Sequence, residues 1–307
     1  MTPTPTDTRN ILVVVTGPTA SGKTDLAIDL ARHYGSDIIS ADSRQIYRDI
    51  PIGTAAPSAE QLRAVRHHFV GILPLDAYYS AAQYEADVMA LLPELWEKSP
   101  VQVMCGGSMM YIDAVTRGID LLPTITPEIR SQAARLLDTE GLEAVISRLE
   151  ALDPEYLATA DRANPRRLVH ALEISMQAGV PYSSLRTGTV RERPFHIIKV
   201  APEWPRDALF ARINRRVDAM MAAGFADEAS SVYHLRHLNS LNTVGFKEMF
   251  AAFDGTMDFD TAVARMAKNT RVYAKKQLTW LRRAADTVML NPATALSNTI
   301  TLIDQLK

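Results

Sequence analysis

The segment from Gly17 to Thr24 has the residue types and the spacing of a phosphate-binding loop. Its glycines let the backbone curl so that several N–H groups face one anion, and the start of a following helix adds partial positive charge. Lys23 would neutralise the outer phosphate, and the Thr24 hydroxyl would be a ligand of Mg²⁺. The residues of this predicted diphosphate site are Gly17, Pro18, Thr19, Ala20, Ser21, Gly22, Lys23 and Thr24.

A single carboxylate, Asp42, follows the second short apolar run of the chain. A carboxylate beside a phosphate site can act as a general base towards an attacking nucleophile. It can equally cap a helix or serve as an outer ligand of Mg²⁺, and the residues alone leave these roles open. Ligands of open parallel sheets bind beyond the carboxyl ends of the strands. The phosphate loop and Asp42 both follow predicted strands, so we expect them to face one cleft.

The elements that must hold these residues alternate between strands and helices. Short apolar runs predict strands over 11–15, 37–41, 101–105 and 195–200, and helical signals fall at 23–33, 80–96 and 108–116. This alternation predicts an α/β fold: a P-loop NTPase-like core with a parallel sheet and helices on both faces. Long helices are predicted over 205–223 and 259–285. In the second of these, Val272, Leu278 and Trp280 are expected in the core, and Arg271, Lys275 and Arg282 lie near one face.

Residues from about 122 to 194 give helix signals and no convincing strand. Thr126-Pro127 and Asn164-Pro165 begin two helices, and Gly179 ends one. The sequence therefore predicts a core formed by residues 1–120 and 195–307, with a helical insertion at 121–194.

Composition narrows the classes of protein that remain. The chain has 307 residues, a net charge of −2 and one cysteine, Cys105, which excludes a disulfide framework and a four-cysteine zinc site. The sequence contains no apolar run of the ~20 residues that a membrane span needs. Residues 1–10 are expected to be a short disordered lead rather than a signal peptide. His67 and His68 are expected to be surface or loop residues rather than metal ligands, and the cytoplasm is the expected location.

Positive charge is concentrated in two stretches. Residues 162–216 and residues 265–283 each carry a net charge of +7, so the remainder carries −16. Such segregation is typical of a protein that presents one face to nucleic acid, although solvated basic helix faces would give the same pattern.

The phosphate loop alone favours a kinase or NTPase, because most such loops bind ATP or GTP. Two observations weaken that interpretation. The third strand ends in Cys105-Gly106-Gly107, where many NTPases carry an acidic Mg²⁺ ligand, and the signatures of a guanine site are missing from the sequence. A small-molecule or nucleotide kinase remains the alternative, together with a non-catalytic RNA-binding module that uses the loop as a regulatory nucleotide site.

Eight segments taken together closely resemble the bacterial tRNA dimethylallyltransferases, also called tRNA isopentenyltransferases. They are GPTASGKT, DSRQIY, IGTAAP, GGSMMY, NPRRLVHALEI, RINRR, NTVGFKEM and TRVYAKKQLTWLRR, and they cover nearly the whole chain in order. The resemblance implies transfer of a dimethylallyl group from dimethylallyl diphosphate to N6 of the adenine 3′ of the anticodon. A relative that prenylates free adenine nucleotides is a closer alternative, but it would not need the insertion or the basic helices.

The resemblance also implies roles for individual residues. Asp42 would be the general base, Ser108 would stand where the family usually has Thr beside the target base, and Arg212 would neutralise the departing diphosphate, with Arg216 as the alternative. Mg²⁺ is the implied cofactor, the anticodon stem-loop the implied partner, and a monomer the expected state. The implied tRNA contacts are Asp42, Ser43, Arg44, Gln45, Ser108, Arg130, Arg166, Arg167, Leu168, Val169, His170, Asn242, Thr243, Val244, Gly245, Phe246 and Lys247. Phe246 would stack on a base or lie in the core.

Overall fold

The structure is a computed structural model, and it describes residues 10–306. The chain divides into two compact units. The first joins Met1–Arg117 to Glu192–Lys307, and the second is Gly118–Arg191. The interval predicted for the insertion, residues 121–194, overlaps the second unit.

The first unit is built on a six-stranded parallel sheet. Its strands are β1 (Ile11–Val15), β2 (Ile38–Ser40), β3 (His67–His68), β4 (Val101–Cys105), β5 (His196–Pro202) and β6 (Thr287–Leu290). Their order across the sheet is β3-β2-β4-β1-β5-β6. Val15, at the end of β1, pairs with Cys105 on one side and Val200 on the other. The carboxyl ends of β1, β4 and β2 therefore lie side by side.

Burial explains why the central strands form where they do. All five residues of β1 are fully buried, and they alternate between the two faces of the sheet. Ile11, Val13 and Val15 pack on one face, whereas Leu12 and Val14 pack on the other.

Helices cover both faces of the sheet. On one face lie α1 (Lys23–Tyr34) and α13 (Ala295–Asp304), and on the other lie α3 (Ala81–Lys98) and α4 (Met109–Arg117). The remaining α-helices of this unit are α2 (Ala59–Ala64), α9 (Arg206–Ala222), α10 (Phe225–Ser231), α11 (Phe246–Phe253) and α12 (Phe259–Arg283). A second core joins α9 to α12 with residues 46–75.

The second unit is helical and has its own core. Its helices are α5 (Pro127–Leu152), α6 (Pro154–Thr159), α7 (Pro165–Ala178) and α8 (Tyr182–Leu185). The predicted caps are present: Thr126 accepts the Ile129 N–H, Asn164 accepts the Arg167 N–H, and Gly179 ends α7 at φ +68°. Gly141 interrupts α5 with φ +83°, so two helical segments meet there.

Several expectations differ from the structure. The expectation of surface or loop positions for His67 and His68 is wrong, because the pair forms the partly buried edge strand β3, where His68 Nε2 lies 2.9 Å from an Asp37 oxygen. The strand β6 and the helix α13 were not predicted, because both are short and partly exposed.

The expectation for the N-terminal lead falls, apart from Asn10, outside the described residues. Within residues 10–306, none of the helices combines the length and the apolar character that crossing a membrane requires.

Candidate active site

The phosphate loop leaves β1 and runs directly into α1. Gly22 takes φ +86° and Ala20 takes φ +63°, both in the left-handed region, so the loop curls tightly before the helix begins. The N-terminus of α1 has no side-chain cap. Its first backbone N–H groups are therefore suited to an anion, which the helix dipole also favours.

Two cations accompany the loop. The Lys23 ammonium lies 3.4 Å from the Pro18 carbonyl oxygen, and Arg216 Nη1 donates to the Thr19 hydroxyl at 3.3 Å. Burial lowers the pKa of Lys23, and the nearby Arg216 lowers it further. Burial likewise lowers the pKa of Arg216, against the influence of Asp42. An anionic ligand would stabilise the charged forms of this buried pair of positive groups.

Asp42 lies just beyond β2, one strand away from β4 and two from the phosphate loop. Its Oδ1 accepts the backbone N–H of Arg44 at 2.9 Å and that of Gln45 at 3.3 Å. The carboxylate thus fixes its own loop, a common use of an aspartate in a turn. Arg44 in turn donates to the carbonyl oxygens of Asn239 and Ser240, so this loop is anchored to the segment before α11.

Ser108 lies just beyond the end of β4 and beside the loop that follows Asp42. The Ser108 hydroxyl accepts the Ser43 N–H at 2.8 Å and donates to the Ser43 hydroxyl at 3.1 Å. Gly106 makes this approach possible, because a Cβ at that position would lie 2.1 Å from the Ala41 carbonyl oxygen. Ser108 and Asp42 therefore belong to one hydrogen-bonded junction of β2 and β4.

A cavity of about 380 Å³ joins these groups. Its lining includes twelve of the sequence-predicted site residues: Thr19, Lys23, Thr24, Asp42, Ser43, Arg44, Gln45, Ser108, Asn242, Thr243, Val244 and Lys247. The expectation that the phosphate loop and Asp42 face one cleft is thus met in the geometry.

A second cavity of about 430 Å³ also borders the loop, and Lys23, Thr24, Ala55 and Arg216 line both. Arg212 lines only the second of the two. Its Nε donates to the Ala20 carbonyl at 2.7 Å, and its guanidinium lies 4.5 Å from the centre of the Trp204 ring. Arg212 therefore contacts the backbone of the phosphate loop, and of the two arginines only Arg216 also lines the cavity that contains Asp42.

Residues 52–57 form the wall opposite the phosphate loop. The Glu228 carboxylate of α10 accepts the N–H groups of Ile52 at 2.8 Å and Gly53 at 2.7 Å. Burial raises the pKa of Glu228, and these two bonds oppose the shift. Arg216 and Gln45 both donate to the Ala55 carbonyl, so the wall is tied to both sides of the cavity.

Two of the predicted tRNA contacts, Phe246 and Leu168, have fully buried side chains, and for Phe246 this is the core position that the sequence left open. Phe246 is 0% exposed; its ring packs edge-on to Phe225 in the core formed by α9 to α12. Leu168 is also fully buried, in the core of the helical unit. Both are apolar residues on the buried sides of amphipathic helices. The resemblance implied whole segments as tRNA contacts and did not distinguish these buried positions. Gly245 is buried as well.

The other predicted contacts of the helical unit lie near the start of α7. Arg166, Arg167 and His170 are exposed, and Val169 is partly buried. Partial desolvation of the imidazole lowers the pKa of His170, and the charge of Arg130 lowers it further. Arg130 of α5 thus lies close to His170.

The core expected for α12 is wrong at one of its three positions. Val272 is exposed, and the buried positions of the last turns are Ala274, Gln277 and Leu281. Leu278 and Trp280 are partly buried, in contact with neighbouring cores.

Gln277 was not predicted, although its Oε1 accepts the Thr19 N–H in the phosphate loop. The available signal was its three- and four-residue spacing from small and apolar neighbours. Glu228 was also missed, and its sequence context carries no comparable signal.

Cys105 is buried beneath the loop, and burial raises the pKa of its thiol to about 12, against the effect of Lys23. A thiol with that pKa stays protonated near neutral pH and is a poor nucleophile. This agrees with the interpretation of Cys105 as a strand residue.

The fold and the site define a class of protein. A parallel sheet with helices on both faces, and a glycine-containing loop between its central strand and α1, is the architecture of the P-loop NTPase-like proteins. The IPP transferase family model matches residues 45–284. The chain therefore belongs to the IPP transferase family, the family of the tRNA dimethylallyltransferases, and this confirms the resemblance drawn from the motifs.

Individual relatives agree with this assignment. The chain is 51% identical to tRNA dimethylallyltransferase 2 of Parabacteroides distasonis over 92% of its own length and 95% of the relative's. It is 50% identical to tRNA dimethylallyltransferase 1 of Phocaeicola vulgatus, with 92% and 94% covered. The crystal structure of the full-length tRNA isopentenylpyrophosphate transferase of Bacillus halodurans superimposes with a TM-score of 0.70 at 30% identity, covering 97% of this chain and 96% of that one.

Proposed function

We propose that the protein transfers a dimethylallyl group from dimethylallyl diphosphate to N6 of the adenine 3′ of the anticodon in tRNA. One observation carries the proposal: the phosphate-loop lysine, Asp42 and Ser108 line a single cavity in a chain of this family. In the reaction, a bond forms between N6 and the first carbon of the allyl group. The bond from that carbon to the diphosphate oxygen breaks, and one N6 proton is removed.

Asp42 is the group that we assign to that proton. An adenine amine is a weak nucleophile because its lone pair is delocalised into the ring, and a positioned carboxylate compensates during attack. The two backbone N–H groups that Oδ1 accepts hold the carboxylate in place. Ser108 has its hydroxyl within 2.8 Å of the Ser43 nitrogen, and we assign it to hydrogen bonding near the target base.

Lys23 and Arg216 are assigned to the leaving group. Negative charge builds up on the diphosphate as the carbon–oxygen bond breaks, so cations fixed beside it stabilise the transition state more than the substrate. Of the two candidate arginines, Arg216 is the one that lines the cavity with Asp42, while Arg212 holds the loop through the Ala20 carbonyl.

Mg²⁺ fits the oxygen donors of this site. Among residues 10–306, no cluster of three or more His, Cys, Asp or Glu side chains could hold a metal by itself. Mg²⁺ is commonly held by few protein groups together with phosphate oxygens and water, for which the Thr24 hydroxyl suffices. When bound, the ion would neutralise charge on the diphosphate.

The RNA partner is proposed from charge and from the cavity. The target base must leave its stack to reach Asp42, which costs a few kcal/mol that contacts to the rest of the stem-loop must offset. Arg166, Arg167 and His170 are exposed in the helical unit, and Lys247 is exposed at the cavity. We assign them to the anticodon stem-loop.

The experiment is an incubation of the protein with Mg²⁺, dimethylallyl diphosphate and unmodified tRNA. The RNA is then digested and examined by mass spectrometry. We expect a five-carbon gain on one adenosine of the anticodon loop, and no such gain when the donor is omitted. A parallel reaction with ATP and no allylic donor tests the kinase alternative. Phosphate transfer or ATP hydrolysis without any prenylated adenosine would overturn the proposal.

We further propose that the protein acts as a monomer in the cytoplasm. Light scattering coupled to size-exclusion chromatography would measure the mass of the particle. Fractionation of cells would determine its location.

A further inference from the structure

The helix α12 carries a buried amide, Gln277, that is only 4% exposed. Its Oε1 accepts the N–H of Thr19 at 3.0 Å. Its Nε2 donates to the carbonyl oxygen of Gly107 at 3.1 Å. Both bonds join parts of the chain that are far apart in sequence, and neither partner lies on α12 itself.

The two partners belong to the two halves of the proposed site. Thr19 is part of the phosphate loop, where the donor diphosphate would bind. Gly107 directly precedes Ser108, whose hydroxyl holds the Ser43 N–H beside Asp42. One side chain therefore connects the loop for the leaving group to the junction that carries the proposed base.

This contact depends on the residue types at positions 107 and 277. A Cβ at position 107 would lie 2.6 Å from Gln277 Nε2, so the amide would have to shift from this position if residue 107 carried a side chain. An amide offers one acceptor and one donor group, which is what a backbone N–H and a backbone carbonyl together require. An apolar side chain satisfies neither bond, and an ionised carboxylate satisfies only the bond to Thr19.

We propose that Gln277 is a positioning residue that fixes the separation between the donor diphosphate and the acceptor amine. The inference rests on the proposed function, because it assigns the two halves of the cavity to the two substrates. Displacement of reacting groups by about 1 Å costs on the order of 10²-fold in rate. Loss of the amide should therefore lower turnover while each substrate still binds to its own half.

The test compares three variants of the full-length protein by steady-state kinetics with both substrates varied. Gln277→Met keeps the length and removes both bonds. It should lower kcat by roughly 10- to 100-fold, with the KM for each substrate within about threefold of the wild-type value. Thr279→Ala is the matched control on the exposed side of the same helix, and it should leave kcat unchanged. Thermal unfolding of each variant shows how much stability is lost.

Gln277→Glu provides a readout that a merely structural role would not give. An ionised carboxylate repels the Gly107 carbonyl, whereas the protonated form can donate to it, and burial raises the pKa of such a carboxyl. The ratio of variant kcat to wild-type kcat should therefore rise as the pH falls from about 8 to about 6. The cavity holds other charged or titratable groups, namely Lys23, Asp42, Arg44, Arg216, Lys247, Cys105 and Tyr273. The wild type and the variant both contain these groups, so their own titration cancels in the ratio to first order.

The outcomes separate the inference from the function. A flat ratio for Gln277→Glu together with unchanged kcat for Gln277→Met would overturn the positioning role while the wild type still prenylates tRNA. Losses of kcat that follow the losses of unfolding temperature across the variants, with no pH dependence of the kcat ratio, would also overturn it. Gln277 would then only pack the core. A wild-type protein that forms no prenylated adenosine would overturn the proposed function and the inference with it.

Discussion

At the scale of single residues, Asp42 combines two tasks in one carboxylate. Its Oδ1 closes a turn by accepting the Arg44 and Gln45 N–H groups, and the side chain also lines the cavity shared with Lys23. Asn at this position would keep an oxygen for the turn and lose the basicity. The substitution therefore separates the structural task from the chemical one.

Asp42→Asn should lower turnover by about 10²-fold or more, because a positioned general base contributes typically 10²- to 10⁴-fold. The affinity for tRNA should stay within a few-fold, since the turn is kept. Single-turnover kinetics and a filter-binding titration measure the two quantities. Unchanged turnover would remove Asp42 as the base.

The two arginines of α9 differ in their surroundings, although they are four residues apart. Arg216 should contribute directly to stabilising the leaving group, while Arg212 acts on the loop through Ala20. Arg216→Gln should lower kcat/KM for the donor by about 10²- to 10³-fold, the usual effect of removing one donor to a developing anion. Arg212→Gln should have an effect at least about tenfold smaller. The opposite ranking in the same assay would assign the leaving group to Arg212.

At the scale of elements, the wall formed by residues 52–57 depends on close packing against two helices. A Cβ at Gly53 would lie 2.4 Å from the ring of Phe246 in α11 and 2.6 Å from the ring of Phe225 in α10. The Glu228 carboxylate holds the same residue through its backbone N–H. The wall therefore cannot move away from the rings without losing that bond.

Gly53→Ala should reduce the free energy of unfolding by about 1–3 kcal/mol, because overpacking a filled core forces side chains or backbone to shift. Urea denaturation gives the value. A double-mutant cycle with Phe246→Leu tests the cause, since a smaller side chain at 246 should relieve part of the penalty. Strictly additive losses would place the strain elsewhere.

The elements also show what a sequence can and cannot predict. The strands β1 and β4 have the predicted bounds because they are short, buried and mostly apolar runs that end just before glycines or a single polar residue. The helix caps at Thr126 and Asn164 are local hydrogen bonds, so local patterns identify them. The edge strand β3 consists of two histidines and lacks any apolar signal.

The residues of the site likewise fall into those that the sequence predicts and those that it does not. The positions of Lys23, Asp42 and the residues after β4 follow from the rule that strand ends meet at one edge of a parallel sheet. Glu228 and Gln277 act on loops that lie well over a hundred residues away in sequence. Their partners are set by tertiary packing, which no local pattern encodes, and the buried position of Phe246 became evident only from the same packing.

At the scale of the whole molecule, the nearly neutral chain carries two strongly basic stretches. The first of them, residues 162–216, includes the start of α7, where Arg166 and Arg167 are exposed in the helical unit. Contacts of such residues with phosphates release counterions, so they contribute to the salt dependence of RNA binding more than to chemistry. Part of the RNA-binding role should therefore fall to the helical unit, whose residues do not line the cavity that holds Asp42.

Replacing both Arg166 and Arg167 with Ala should reduce the slope of log Kobs for tRNA against log salt by up to about 2. The value of kcat at saturating tRNA should not change, because neither residue belongs to the cavity that holds Asp42. Titrations of an anticodon stem-loop between about 50 and 200 mM salt measure the slope. Arg32→Ala, which removes an exposed arginine of α1, is the matched control and should leave the slope as it is. Equal slopes for wild type and the double variant would mean that the start of α7 contacts no phosphate, and the stem-loop would then have to be held by the basic face of α12.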